Sequence, residues 1–145
     1  MTSAAKPRIF KIQVPALDCL FSGTGDMFAA LMLVRLREGV SKTPGLAQRN
    51  AWVSDDDVTA CNLPLARAAE KTLASVQEVL ARTKAKRDED IAHLTEVKQD
   101  PELHDAEKNF HLRETKAAEV RIVRNMDCMR NPEPKFRAER VSDGA

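Results

Sequence analysis

The chain has 145 residues, with 23 Lys and Arg against 22 Asp and Glu and a formal net charge of +1. That balance excludes a polybasic nucleic-acid binder or an acidic tail as the main function. Apolar residues at 43% and charged residues at 31% suit one ordinary soluble domain. No apolar stretch approaches the ~20 residues that span a bilayer, and the MTSAAKPR start lacks the apolar core of a signal peptide. The expectation is a cytoplasmic protein with no membrane or nucleic-acid partner. Cys19, Cys61 and Cys128 are odd in number and widely spaced, which favours reduced thiols over a disulfide framework. Tyr is absent and aromatics make up 4%, so a core must come from Leu, Val, Ile, Ala and Met. Bases exceed acids seven to three over residues 1–50, acids exceed bases ten to seven over 51–100, and residues 101–145 carry nine of each. These shifts are mild and read as surface variation within one unit.

In chain order, Arg8–Val14 places Phe10, Ile12 and Val14 on one face and predicts a strand that ends at Pro15. Ser22-Gly-Thr-Gly-Asp26 then opens a helix that has Asp26 in its first turn and stops near Gly39. That helix is apolar nearly all round from Met27 to Val34, the pattern of a helix covered on most sides. Residues 39–62 read as a loop, in which Ser54 or an aspartate of Asp55–Asp57 caps a short turn. Leu65–Arg87 is the clearest helix. Leu65, Ala69, Thr72, Leu73, Val76, Val79, Leu80 and Thr83 form its apolar stripe, and Glu70, Lys71, Gln77, Glu78, Arg82 and Lys86 lie opposite. Pro64 suits its first position. Residues 88–117 read as a charged loop or fraying helix, Glu119–Val123 as a strand, and the remainder as an irregular tail. Two strands cannot cover an all-round apolar helix, and a two-stranded sheet is marginal in water. The inventory therefore suggests a piece of a larger α/β domain.

The Gly23-Thr-Gly-Asp26 turn carries the chemistry. A helix N-terminus leaves amide N–H groups unpaired and carries partial positive charge. Glycines let the backbone turn tightly and an anion approach, so the expectation is a phosphate cradle. A carboxylate beside it can take the proton of a hydroxyl that attacks phosphorus. On these four residues alone, a plain glycine turn with Asp26 as a helix-end acid is the stronger reading. No Gly-Lys-Ser/Thr follows, so it is not a Walker loop. Elsewhere, the spacing of His93, His104 and His111 does not suggest a metal site. Cys19 reads as a buried small residue, and Asp55–Asp57 lack EF-hand spacing. No protein metal ligands are assigned.

Several motifs agree in order. They are Phe10-x-Ile12, Pro15-x-Leu17-Asp18, Phe21-Ser-Gly-Thr-Gly-Asp-Met-Phe-Ala-Ala-Leu31, Ala69-Glu-Lys-Thr72, Val79-Leu-x-Arg-Thr83, Glu119-Val-Arg-Ile-Val123 and Pro132-Glu133. Together they resemble the C-terminal part of pyridoxal kinases of the ribokinase-like superfamily, fungal members above all. Asp26 followed by Met27-Phe-Ala-Ala30 favours this family over hydroxymethylpyrimidine kinases, which often place cysteine there. The resemblance implies an α/β fold, here a C-terminal fragment of an α/β/α architecture with two long helices and a few strands. It covers residues 8–134, with a charged insertion at 84–117 and irregular tails at 1–7 and 135–145. It implies phosphorylation of the 5′-hydroxyl of pyridoxal, pyridoxine or pyridoxamine by ATP and Mg2+, with a monovalent cation as a further helper. Asp26 would be the base. Gly23, Thr24 and Gly25, with the Asp26 amide, would form the anion hole. Val14, Pro15, Ala16, Leu17 and Phe21 would flank the adenine, with Leu80 packed near it. The family is homodimeric, and its longer chains carry the ring pocket, the lid, the acidic metal motif and most of the sheet in an N-terminal half. The chain is thus expected to be truncated and inactive alone. The alternative is a non-catalytic module that binds a partner through exposed apolar surface.

Overall fold

The computed structural model describes residues 7–97, 116 and 120–141. Most of the charged insertion, His104, His111, Glu119 and the chain ends lie outside the described residues. The architecture is mixed. A first strand, β1 (Phe10–Ile12), is followed by α1 (Thr24–Lys42), α2 (Pro64–Val97), a short α3 (Met126–Arg130) and β2 (Ala138–Arg140), with single 3-10 turns between them. β1 and β2 pair antiparallel, with Phe10 opposite Arg140 and Ile12 opposite Ala138.

α1 runs past Gly39, contrary to the sequence expectation. Gly39 has no positive φ and lies against the start of α2, where a Cβ would stand 3.5 Å from Pro64 Cβ. The helix stops instead at Thr43, held extended ahead of Pro44. Its hydroxyl donates to the Gly39 carbonyl at 3.0 Å. At the other end, Met27 packs with Val76 and Val79 of α2, joined by Leu31, Leu80, Val120, Cys128 and Met129. Gly39 over Pro64 and Met27 over Val76 and Val79 make the two helices antiparallel. The expectation of an α1 covered on most sides is corrected among the described residues. Met27 and Val40 are buried, but Phe28, Leu33 and Val34 are 39%, 65% and 54% exposed.

α2 starts at Pro64 as expected but continues beyond Arg87 to Val97. The charged stretch stays helical because its signs alternate at helical spacing. Lys84 pairs with Asp88 at 2.6 Å, and Lys86 with Glu89 and Asp90 at 3.0 and 3.2 Å. Each such exposed pair adds little by itself, and it is their repetition along the face that favours the helix. The apolar stripe is the expected one except at its first residue. Ala69, Thr72, Val76, Val79 and Thr83 are buried, Leu73 and Leu80 are half-buried, and Leu65 is exposed.

The expected strand at 119–123 is also corrected. Residues 120–125 form turns and a 3-10 segment (Val123–Asn125), with Val123 82% exposed. No described strand lies beside them to supply ladder bonds. The tail is ordered rather than irregular through Val141. Arg35, Ser75 and Glu70 hold it to the two long helices. The Arg35 guanidinium donates to the Met129 and Arg130 carbonyls, which end α3. Ser75 Oγ donates to the Cys128 carbonyl at 2.9 Å.

Glu70, expected on the solvent side, is 2% exposed. Its carboxylate accepts the Ala138 amide of β2 at 2.8 Å and pairs with Arg67 and Arg137 at 3.1 and 3.3 Å. Burial pushes its pKa up, but the Ala138 amide and the two arginines outweigh that and hold it below the usual carboxylate range.

Gly39→Ala should stabilise the chain by about 0.5–1 kcal/mol, because alanine is the better helix former and its methyl meets Pro64 at ordinary contact distance. Urea unfolding midpoints check this. Glu70→Gln should destabilise by about 1–3 kcal/mol at neutral pH. A depressed folded pKa contributes stability above the unfolded value and loses it as pH falls through the folded one. The stability gap between wild type and Glu70→Gln should therefore close on acidification below the ordinary glutamate range, as measured by urea unfolding at stepped pH.

Candidate phosphate-binding site

The site is built where the chain enters α1. Gly23 sits at φ 86°, ψ 6°, a left-handed conformation that glycine takes without the penalty a Cβ brings. This reverses the backbone so that α1 begins at Thr24. The Met27 amide donates to the Gly23 carbonyl at 3.3 Å. The amides of Thr24, Gly25 and Asp26, ahead of that bond, have no acceptor among the described residues, and no side chain caps the helix. They are the orphan donors of a helix start, at the positive end of its dipole.

The two glycines leave this end open. A Cβ built on Gly23 or Gly25 meets nothing within 4 Å, unlike Gly39, which faces Pro64. Gly23 is needed for its φ. Gly25, inside the helix, has no such need, and its missing side chain leaves room for a group approaching the amides. Asp26 is exposed in the first turn. Among the described residues it makes no ion pair or hydrogen bond. A carboxylate there can accept a proton from a group held at the amides.

Of the residues expected around an adenine, Leu80 is packed into the cluster that contains Met27, directly behind the first turn of α1. Phe21 and Leu17 are half-buried, whereas Val14, Pro15 and Ala16 are exposed. Gln77 Nε2 donates to the Pro15 carbonyl at 2.7 Å. Gln77 and Leu80 stand three residues apart and share a flank of α2, so the helix brings the Pro15 segment and Leu80 to one side. The Val120 amide donates to the Ser22 carbonyl at 3.3 Å and backs the turn from the other side. Neither the Gln77 nor the Val120 bond has a local signal in the sequence, because both involve backbone groups distant in the chain.

Two cavities lie elsewhere. One, of about 370 Å3, is lined by Glu78, Arg82, Asp127, Cys128, Glu133 and Lys135. Four of its charges are mutually paired, with Arg82 on Glu78 and Asp127 and Lys135 on Glu78. Burial pushes the Cys128 thiol up, and its Sγ lies 3.0 Å from the Asn125 carbonyl, so it is a poor nucleophile. The other cavity, of about 210 Å3, lies beside Arg8, Asp56, Asp57 and Arg140. Arg8 there donates to the carbonyls of Ser54, Asp55 and Val58 and pins the loop that the aspartates were expected to cap. Among the described residues no three His, Cys, Asp or Glu side chains converge as metal ligands, and no helix is long and apolar enough to cross a membrane.

No protein-family model matches the chain. Over 134 residues it is 28% identical to a Schizosaccharomyces pombe protein named as a putative pyridoxal kinase. The match takes in 92% of this chain and 35% of that protein, so the chain spans about a third of the length of the curated relative it matches.

Proposed function

We propose that the chain supplies the phosphate-binding turn and the catalytic base of a kinase that transfers the terminal phosphoryl group of ATP to the 5′-hydroxyl of pyridoxal, pyridoxine or pyridoxamine. One observation carries the reading: three unpaired amides, an open glycine and a free carboxylate meet at one helix start. The similarity to the fission-yeast protein supports it.

In this reading the amides of Thr24, Gly25 and Asp26 donate to oxygens of the phosphoryl group in transit, with the Thr24 hydroxyl beside them. Asp26 accepts the substrate hydroxyl proton as the new O–P bond forms. The bond to the bridging oxygen breaks and its electrons leave with ADP. The Val14–Leu17 segment, Phe21 and Leu80 flank the adenine. Magnesium would be the metal partner of the nucleotide and would offset charge on its phosphates; no ligand to it is assigned among the described residues. A monovalent cation, cytoplasmic location and a dimeric assembly belong to the same reading. The pocket for the pyridoxal ring is assigned to sequence outside these residues.

A second reading, a non-catalytic module that docks a partner, is favoured by the exposed Phe28, Leu33 and Val34 on α1. It predicts self-association or dye binding at that face and no nucleotide affinity.

Calorimetric titration with Mg-ATP separates the two. Wild type should bind, Asp26→Asn should bind within about twofold, and Gly25→Ala should bind about tenfold more weakly with an unchanged or higher melting temperature. Where the chain turns over pyridoxal, alone or joined to the remainder of a full-length kinase, Asp26→Asn should lower kcat at least about 100-fold. Equal pyridoxal 5′-phosphate formation by both would remove Asp26 from the base role.

A further inference from the structure

Thr83 is fully buried on α2, and among the described residues its hydroxyl has no hydrogen-bond partner. It closes a buried stripe formed by Thr72, Val76, Val79 and Thr83, which recur at steps of four, three and four residues and whose two valines pack with Met27 of α1. Val79 packs against Met27, and Met27 bonds back to Gly23 one turn earlier. Because the helices run antiparallel, one turn beyond Val79 on α2 is level with one turn before Met27 on α1. Helical rise places Thr83 level with Gly23 and Thr24, at the end of the pair that carries the open amides. A buried hydroxyl with no partner is worse than the isosteric valine in the ligand-free chain.

We propose that Thr83 is a positioning residue of the phosphate turn. Its hydroxyl bonds the Ser22–Gly23 backbone when an anion draws the amides of Thr24, Gly25 and Asp26 onto itself, and so holds the turn in its binding geometry. The inference rests on the phosphate reading of that turn. Thr72 is its internal control, since it is equally buried and equally unpartnered but lies three turns away, in the middle of the helix pair.

The test is calorimetric titration of the whole chain with Mg-ATP and with inorganic phosphate, beside thermal melts. Thr83→Val should bind both about fivefold more weakly with an equal or higher melting temperature. Thr83→Ser, which keeps the hydroxyl, should stay within about twofold of wild type. Thr72→Val should melt at an equal or higher temperature with unchanged affinity. If wild type binds and Thr83→Val binds equally well, the positioning role falls while the phosphate reading stands. Equal weakening by Thr72→Val would also overturn it, by assigning the effect to packing. No binding by wild type removes the phosphate reading and this inference with it.

Discussion

The packing of α1 on α2 is the constraint from which the rest follows. One end of the pair is set by Gly39 against Pro64, which lies within contact distance of where a Cβ on Gly39 would stand. The other end is set by Met27 between Val76 and Val79. With both ends fixed, the start of α1 cannot turn away, and its unpaired amides point out of the pair at a fixed place. The left-handed Gly23 then decides how the chain reaches that start without a side chain across it. A phosphate site made this way needs little from side chains, because the donors are backbone groups whose direction the helix already determines.

The two flanks of α2 are held by different physics. Toward the glycine turn the contacts are apolar, apart from the Gln77 bond to Pro15. Toward the C-terminal segment they are polar and charge-assisted: Glu70 to β2, Ser75 to α3, and Arg82 between Glu78 and Asp127. The exposed Arg82 pairs contribute modestly. Glu70 contributes more, because its partners keep a buried carboxylate charged. Acid should therefore loosen β2 before it disturbs the apolar packing behind Gly23.

The sequence made both long helices and the glycine turn legible, because helical periodicity and a Gly-x-Gly before an apolar run are local signals. The Pro64 start of α2 was legible for the same reason. Three features were less so. The Gly39 stop failed because a glycine inside a helix can serve close packing as well as termination, and only the partner helix shows which. The helix from Asp88 to Val97 was only half legible because charge alternation without an apolar stripe reads as a solvated loop as readily as a fraying helix. Glu70 and β2 were hidden together, since a glutamate reads as exposed until a strand far along the chain brings an amide to it. At the site, Asp26, Gly23 and Gly25 were read from the sequence alone as candidates for phosphate chemistry, whereas Thr83 was read only as core. Its missing partner is a three-dimensional fact.

The central claim is that the open amides at the start of α1 bind phosphate. The most direct measurement is a 1H–15N correlation spectrum of the whole chain, titrated with Mg-ATP and with inorganic phosphate. The account predicts saturable shifts of the Thr24, Gly25 and Asp26 amides, moving downfield as they begin to donate, with smaller changes at Gly23 and Thr83. Shifts confined to other residues, or none at these three amides at saturating nucleotide, would contradict it.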